Sequence, residues 1–228
     1  MYRNKYEIAS IRVIGWTIDN SHVEDPHFQP RSRRPHRKRR DEAPKVPDME
    51  SVPKLSNDQL AFLERVKQAA MASEELSVPP AVVVGQSILE SNWGRSPSAR
   101  TANNLFGIKA RPTWEGSVYS GTTDEWEGGQ NVTHQGKDRL YSSYREAVAD
   151  NCDPATLFRA YVTDEDSVRD HATFLQRPRY QQCLKGYRRD RDARAFALCI
   201  HKAGYATDPN YGPKVIKMME QYVPDLLA

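Results

Sequence analysis

From Ser56 onward, hydrophobic and polar positions recur with a helical period. Leu60, Leu63, Val66 and Ala70 fall three or four apart, which predicts one apolar stripe running on towards Leu76. Ser56-Asn57-Asp58-Gln59 has the spacing of a capping box at the start of that helix. Ser77, Pro79 and Pro80 predict a second helix entry, and Ala81-Val82-Val83-Val84-Gly85 follows without a continuous polar face. A helix apolar all round is buried on most sides, and Gly94 reads as its stop. Between Ser117 and Tyr141 the pattern turns to Thr, Tyr, Trp and Val around Gly128-Gly129, which predicts a β-hairpin with a polar return limb. Helical periods resume over residues 144–151, 154–161, 167–175, 192–202 and 213–222, and no internal repeat is present. The expected class is therefore α+β, mainly helical with a small β-hairpin lobe.

One polar residue conflicts with this pattern. Glu90 closes the apolar second helix, and Gln86, four residues earlier, shares its face. Such a glutamate either points from the helix end into water, as most glutamates do, or is kept partly desolvated as a proton donor. In the second case apolar walls and the negative end of the helix dipole both raise its pKa. Breaking a glycosidic bond at neutral pH needs such a proton for the leaving oxygen. The amides and aromatics that come straight after Glu90 are suited to holding a sugar ring.

Four ordered motifs decide between these readings. Gln86-Ser87-Ile88-Leu89-Glu90-Ser91-Asn92-Trp93-Gly94, then Asn103-Asn104-Leu105-Phe106-Gly107-Ile108-Lys109-Ala110, resemble the glucosaminidase family of peptidoglycan hydrolases, which includes flagellar muralytic enzymes and autolysins. Thr122-Thr123-Asp124-Glu125-Trp126-Glu127-Gly128-Gly129 is similar to that family's hairpin motif, and Gly204-Tyr205-Ala206-Thr207-Asp208-Pro209-Asn210-Tyr211 to its C-terminal one. The resemblance covers roughly residues 56 to 222. It implies a lysozyme-like fold with a cleft between two lobes. It also implies Glu90 as general acid on the helical wall, Tyr205 near the catalytic centre, and a second carboxylate on the hairpin wall. Glu125 best matches that carboxylate and Asp124 is its rival; because neighbouring strand residues point to opposite faces, only one of them can face the cleft. Gln86, Trp93, Asn104, Trp126, Asp208 and Tyr211 are the expected substrate-binding residues, with Phe106 a support of the fold. Asn104 suits either a hydrogen bond to an acetamido group or a turn. Lys109 is either a carboxylate partner or solvated.

The activity so implied is hydrolysis of peptidoglycan glycan strands at the β-1,4 bond after N-acetylglucosamine. A muramidase, a lytic transglycosylase and an inactive wall-binding module are the alternatives.

Composition changes this picture at the N-terminus. The chain has 228 residues, 38% hydrophobic and 28% charged, with formal net charge +3. Arg31-Ser32-Arg33-Arg34-Pro35-His36-Arg37-Lys38-Arg39-Arg40 holds seven of the 33 basic residues and no acid, and the rest of the chain keeps 26 basic against 30 acidic residues. Residues 1–54 are thus expected to be a basic, Pro/Arg-rich tail and linker, disordered by composition, and residues 55–228 the catalytic domain. The basic run is either simply solvated or a contact for an anionic polymer. The apolar patch near Trp16 is interrupted by Arg12 and fits neither a signal peptide nor a membrane span. Action on the cell wall would then need release, injection or another export route; a secreted effector would bring an immunity protein that plugs the cleft. The six histidines form no ligand-like cluster, so no metal or cofactor is expected. Cys152, Cys183 and Cys199 read as reduced, buried thiols, with Cys183–Cys199 the pair to expect if one disulfide forms.

Overall fold

The computed structural model describes residues 54–127 and 129–227. The basic run from Arg31 to Arg40 and the patch near Trp16 lie outside the described residues, as do the tip residue Gly128 and the side chains of Trp126 and Glu127.

Helix α1, Asn57–Met71, starts at the expected capping box: the Gln59 N–H donates to Ser56 Oγ at 3.3 Å, and the Ser56 N–H donates to Gln59 Oε1 at 3.0 Å. Its buried residues are Phe62, Val66, Ala69 and Ala70, while Leu60 is 51% exposed. The stripe is therefore rotated from the expected one, because packing on the following helix selects the bulkier Phe62. It also stops short of Leu76, where a short 3-10 turn, Ala72–Leu76, takes over. Helix α2, Pro80–Ser91, is buried along all of its length except Leu89. It packs on α8, Tyr211–Tyr222, so closely that a Cβ at Gly85 would lie 3.0 Å from Met219 Cγ and 3.1 Å from the Val215 carbonyl oxygen. The approach of the two helices favours glycine there, since a Cβ would need Met219 or the Val215 backbone to give by a few tenths of an ångström.

The helical body is completed by α3 (Pro97–Ala102), α4 (Tyr144–Ala149), α5 (Asp164–Phe174), α6 (Gln181–Asp190) and α7 (Ala193–Lys202). Neither α3 nor α6 was expected from periodicity. Helix α3 is a single short turn and a half, and α6 buries only Cys183, Leu184 and Tyr187 among ten mostly polar residues. Cys183 and Cys199 are bonded, which corrects the expectation of reduced thiols. Both stand eight residues from Arg191, the left-handed link between α6 and α7, so the antiparallel pair brings their Cα atoms to 5.5 Å. Cys152 is free and buried.

The β region holds two sheets. Strands β1 (Val118–Ser120), β4 (Arg139–Tyr141) and β5 (Leu157–Arg159) form an antiparallel sheet in the order β4-β1-β5. The hairpin β2–β3, Thr123–Glu127 with Gln130–His134, pairs with Asp124 opposite Thr133 and Glu125 opposite Val132. Strand β5 lies where a helix was expected over 154–161. Only Pro154–Thr156 turn, as a 3-10 element capped by Asp153; the backbone that follows pairs with β1 instead, a non-local gain that local periodicity does not register.

Candidate functional site

Helix α2 ends in three successive left-handed residues, Asn92 (φ 50°), Trp93 (φ 61°) and Gly94 (φ 72°). A Cβ at Gly94 would lie 2.7 Å from the Phe62 ring, so glycine serves there both for φ and for space. Ser91 closes the turn by donating to the Ser87 carbonyl oxygen at 2.5 Å and accepting from the Gly94 N–H at 2.7 Å. This tight end fixes Glu90 in the last helical turn, where it is only 6% exposed.

Around Glu90 the hydrogen bonds have a direction. The Tyr211 hydroxyl donates to Glu90 Oε1 at 2.8 Å, and Gln86 Nε2 donates to the Tyr211 oxygen at 2.7 Å. Because the single Tyr211 proton goes to Glu90, Gln86 must meet that oxygen with its NH2, not its carbonyl. Burial pushes the Glu90 pKa from 4.5 up to about 8, and the Tyr211 hydrogen bond works weakly against it. At neutral pH Glu90 is thus largely a protonated acid. Oε1 acts as the accepting, carbonyl-type oxygen, and Oε2 takes no bond from the described residues.

Behind this pair, Tyr205 stacks on Tyr211 with ring centroids 5.4 Å apart and 24° between planes. Its hydroxyl lies 3.1 Å from His171 Nε2, and His171 stacks in turn on Phe106 at 3.9 Å. Burial pushes the His171 pKa down to about 3, so the imidazole is neutral. Phe106 supports the fold, as its motif implied. Tyr211, expected among the substrate-binding residues, touches the acid directly, and Tyr205, expected near the catalytic centre, stands one layer behind it. Nothing in the local pattern of α5 marks His171, whose partner is 34 residues away.

The hairpin separates the two rival acids. Glu125 is 19% exposed, accepts from Thr123 Oγ1 at 3.2 Å and pairs with Lys109 Nζ at 2.9 Å. Asp124 is exposed and accepts from Thr133 Oγ1 at 2.5 Å within its own hairpin. Lys109 is therefore a carboxylate partner.

The residues expected to hold substrate make the following contacts within the chain. Gln86 and Tyr211 are fully buried, Tyr211 against the acid and Gln86 against Tyr211. Asn104 is 1% exposed; its Nδ2 donates to the carbonyl oxygens of Ile108 and Arg159 at 2.9 and 2.8 Å, and its Oδ1 accepts from the Ile108 N–H at 3.0 Å. It shapes a loop, the turn reading of the sequence. Trp93 packs edge-on against Tyr222 at 4.7 Å and Phe62 at 6.2 Å. Asp208 pairs with Lys214 at 2.7 Å and caps its turn through the Asn210 N–H at 2.8 Å. The Trp126 side chain lies outside the described residues.

A mostly helical body with one buried acid at a helix end, joined to a small antiparallel lobe with a second carboxylate, has a lysozyme-like architecture. The family model "Glucosaminidase: Mannosyl-glycoprotein endo-beta-N-acetylglucosaminidase" matches residues 66–223, and the chain belongs to that family. Among relatives, the peptidoglycan hydrolase FlgJ of Salmonella typhimurium is 36% identical over 183 residues, 78% of this chain and 50% of that protein. The exo-glucosaminidase LytG of Bacillus subtilis is 33% identical over 167 residues, 73% of this chain and 52% of that protein. The chain thus spans about half the length of these relatives. A crystal structure of a peptidoglycan hydrolase mutant from Sphingomonas sp. A1 is similar with 31% identity and a TM-score of 0.51, over 70% of this chain and 91% of that one.

Proposed function

We propose that this chain hydrolyses peptidoglycan, cleaving the β-1,4 bond after N-acetylglucosamine, with Glu90 as the general acid. The observation that carries this reading is the buried, protonated Glu90 whose Oε1 is held by Tyr211. With Oε1 occupied, the proton sits on Oε2 and passes to the glycosidic oxygen as the C1–O bond breaks. Positive charge then develops at C1. Glu125, paired with Lys109, either stabilises this charge while Glu90 takes the proton of the incoming water, or takes that proton itself, after which Glu125 gives it to solvent and Glu90 takes one back from solvent. Membership in the family and the names of its relatives supply the substrate class.

The place of action is the cell wall, outside the cytoplasm. The Cys183–Cys199 bond fits an oxidising compartment. No helix of the described residues is long and apolar enough to cross a membrane. Reducing-end analysis of digested sacculi tests the bond: N-acetylglucosamine at the new reducing ends is expected. N-acetylmuramic acid or its 1,6-anhydro form would assign a muramidase or a lytic transglycosylase instead. No release at all would leave a wall-binding module.

A further inference from the structure

The loop before the hairpin is built to fix one amine. Asn104 clasps Ile108 through both its N–H and its carbonyl oxygen. Beyond it the chain pairs with β5: the Arg159 N–H donates to the Ile108 carbonyl oxygen and the Ala110 N–H to that of Leu157, each at 2.9 Å, with Lys109 opposite Phe158. The backbone of Lys109 is therefore held from both sides. Its side chain, 14% exposed, crosses the Phe158 ring at 3.9 Å, donates to the Ala155 carbonyl oxygen at 2.6 Å and reaches Glu125 Oε1 at 2.9 Å.

The hairpin, by contrast, forms a sheet only with itself. Its acids have no backbone partner in the three-stranded sheet; side-chain ties to residues outside the hairpin, His134 to Asp153 and Glu125 to Lys109, set where it stands. Asp124 is bonded inside the hairpin, and a bond of that kind moves with the hairpin. Glu125 is tied to a group anchored elsewhere. Burial pushes the Lys109 amine below its ordinary pKa, and the nearby Glu125 carboxylate opposes that push.

We propose that Lys109 is a positioning residue for the second carboxylate: it sets the place of Glu125 against the three-stranded sheet and holds Oε1, leaving Oε2 to face the reacting sugar. The proposal rests on the reading of Glu125 as that carboxylate. It also explains why, of two adjacent acids, the second is the one that acts. The ammonium that fixes a carboxylate comes from the Asn-Asn-Leu-Phe-Gly-Ile-Lys motif, so two separate motifs of the chain meet at this one ion pair.

The test is a double-mutant cycle on the full chain, with kcat, KM and thermal unfolding measured on sacculi for Lys109→Met, Lys109→Gln, Lys109→Arg, Glu125→Gln and the Lys109→Met/Glu125→Gln pair. Lys109→Met and Lys109→Gln should lower kcat about tenfold with KM changed less than about twofold, and Lys109→Arg should recover part of the loss. In the Glu125→Gln background the Lys109→Met change should cost nothing further, because a residue acting through Glu125 has nothing left to position. Full additivity of the two losses, or wild-type kcat in Lys109→Gln, overturns the proposal. Full activity in Glu125→Gln alone overturns its premise, and that result is distinct from the other two. Lys109→Gln keeps the test decisive if Lys109→Met unfolds.

Discussion

On the helical wall, Glu90 is 6% exposed in the last turn of a helix buried nearly throughout, and its one hydrogen bond from the described residues is a neutral one from Tyr211. On the hairpin wall, Glu125 is 19% exposed on a strand that pairs only within its hairpin, and its partner is an ammonium. The difference fits the two tasks proposed for these carboxyl groups. A proton donor must be kept from ionising, and burial without a cation does that. A group that stabilises positive charge must be held in place, and the Lys109 ammonium at 2.9 Å gives Glu125 a charge-assisted hydrogen bond. Glu90 is set by burial in the helical core, and Glu125 by an ion pair across from its hairpin, which His134 also ties to Asp153.

The most damaging way to break this contrast is Glu90→Gln. It removes the proton donor while keeping shape and burial, so activity on sacculi should fall by about 10² to 10⁴ or more. Stability should move the other way. Folded Glu90 keeps its proton up to about pH 8, while the unfolded chain releases it near the ordinary 4.5. The native state therefore loses about 1.4 kcal/mol per pH unit as pH rises between those values. The variant should melt higher than the wild type at pH 7, and the difference should vanish below pH 4.5; an equal Tm at both pH values would mean that Glu90 is ionised in the fold. The wild type should also lose activity as pH rises through about 8.

The second test sharpens the hairpin side. Glu125→Gln should lower kcat about 10- to 100-fold, less than Glu90→Gln does, whereas Asp124→Asn should change it by a few-fold at most. The reverse ranking would assign the cleft to Asp124. Equal, small effects would point to the substrate's own acetamido group as the source of the second half of the reaction.

Tyr211→Phe is the next smaller change. Losing the donor to Oε1 frees the acid to rotate, and kcat should fall about tenfold. Tyr211 works against burial by stabilising the carboxylate, so its loss raises the Glu90 pKa and should move the alkaline limb of the pH–activity profile upward. A downward move would reverse the assigned direction of that hydrogen bond. The smallest effect on activity belongs to the paired replacement of Cys183 and Cys199 by Ser. Opening a loop with a sequence separation of 16 should cost about 3 kcal/mol of stability, read as a lower Tm, with kcat within about twofold.

The sequence was most legible where a pattern is local. The Ser56 capping box, the Pro80 start of α2 and the hairpin around residues 128–129 are each set by neighbours a few positions apart, and all stand as expected. It was least legible where distant segments compete. Residues 157–159 have a helical period yet pair as a strand with β1, and Leu60 yields its place in the stripe to Phe62. The candidate site divides the same way. Glu90 stands out because a charge in an apolar run is a local anomaly. The contact of Tyr211 with Glu90, the layer of Tyr205 behind it and the loop contacts of Asn104 depend on what α2, α8 and β5 bring beside them.

By itself, then, the chain determined that a glutamate would end a buried helix and that two acids would stand side by side on a hairpin, because helix and strand periods are properties of consecutive residues. Only the tertiary structure decided which oxygen of Glu90 is held, which acid of the hairpin is paired and which cysteines join. Those outcomes depend on contacts between residues 16 to 121 positions apart, and such contacts form only when the whole core packs.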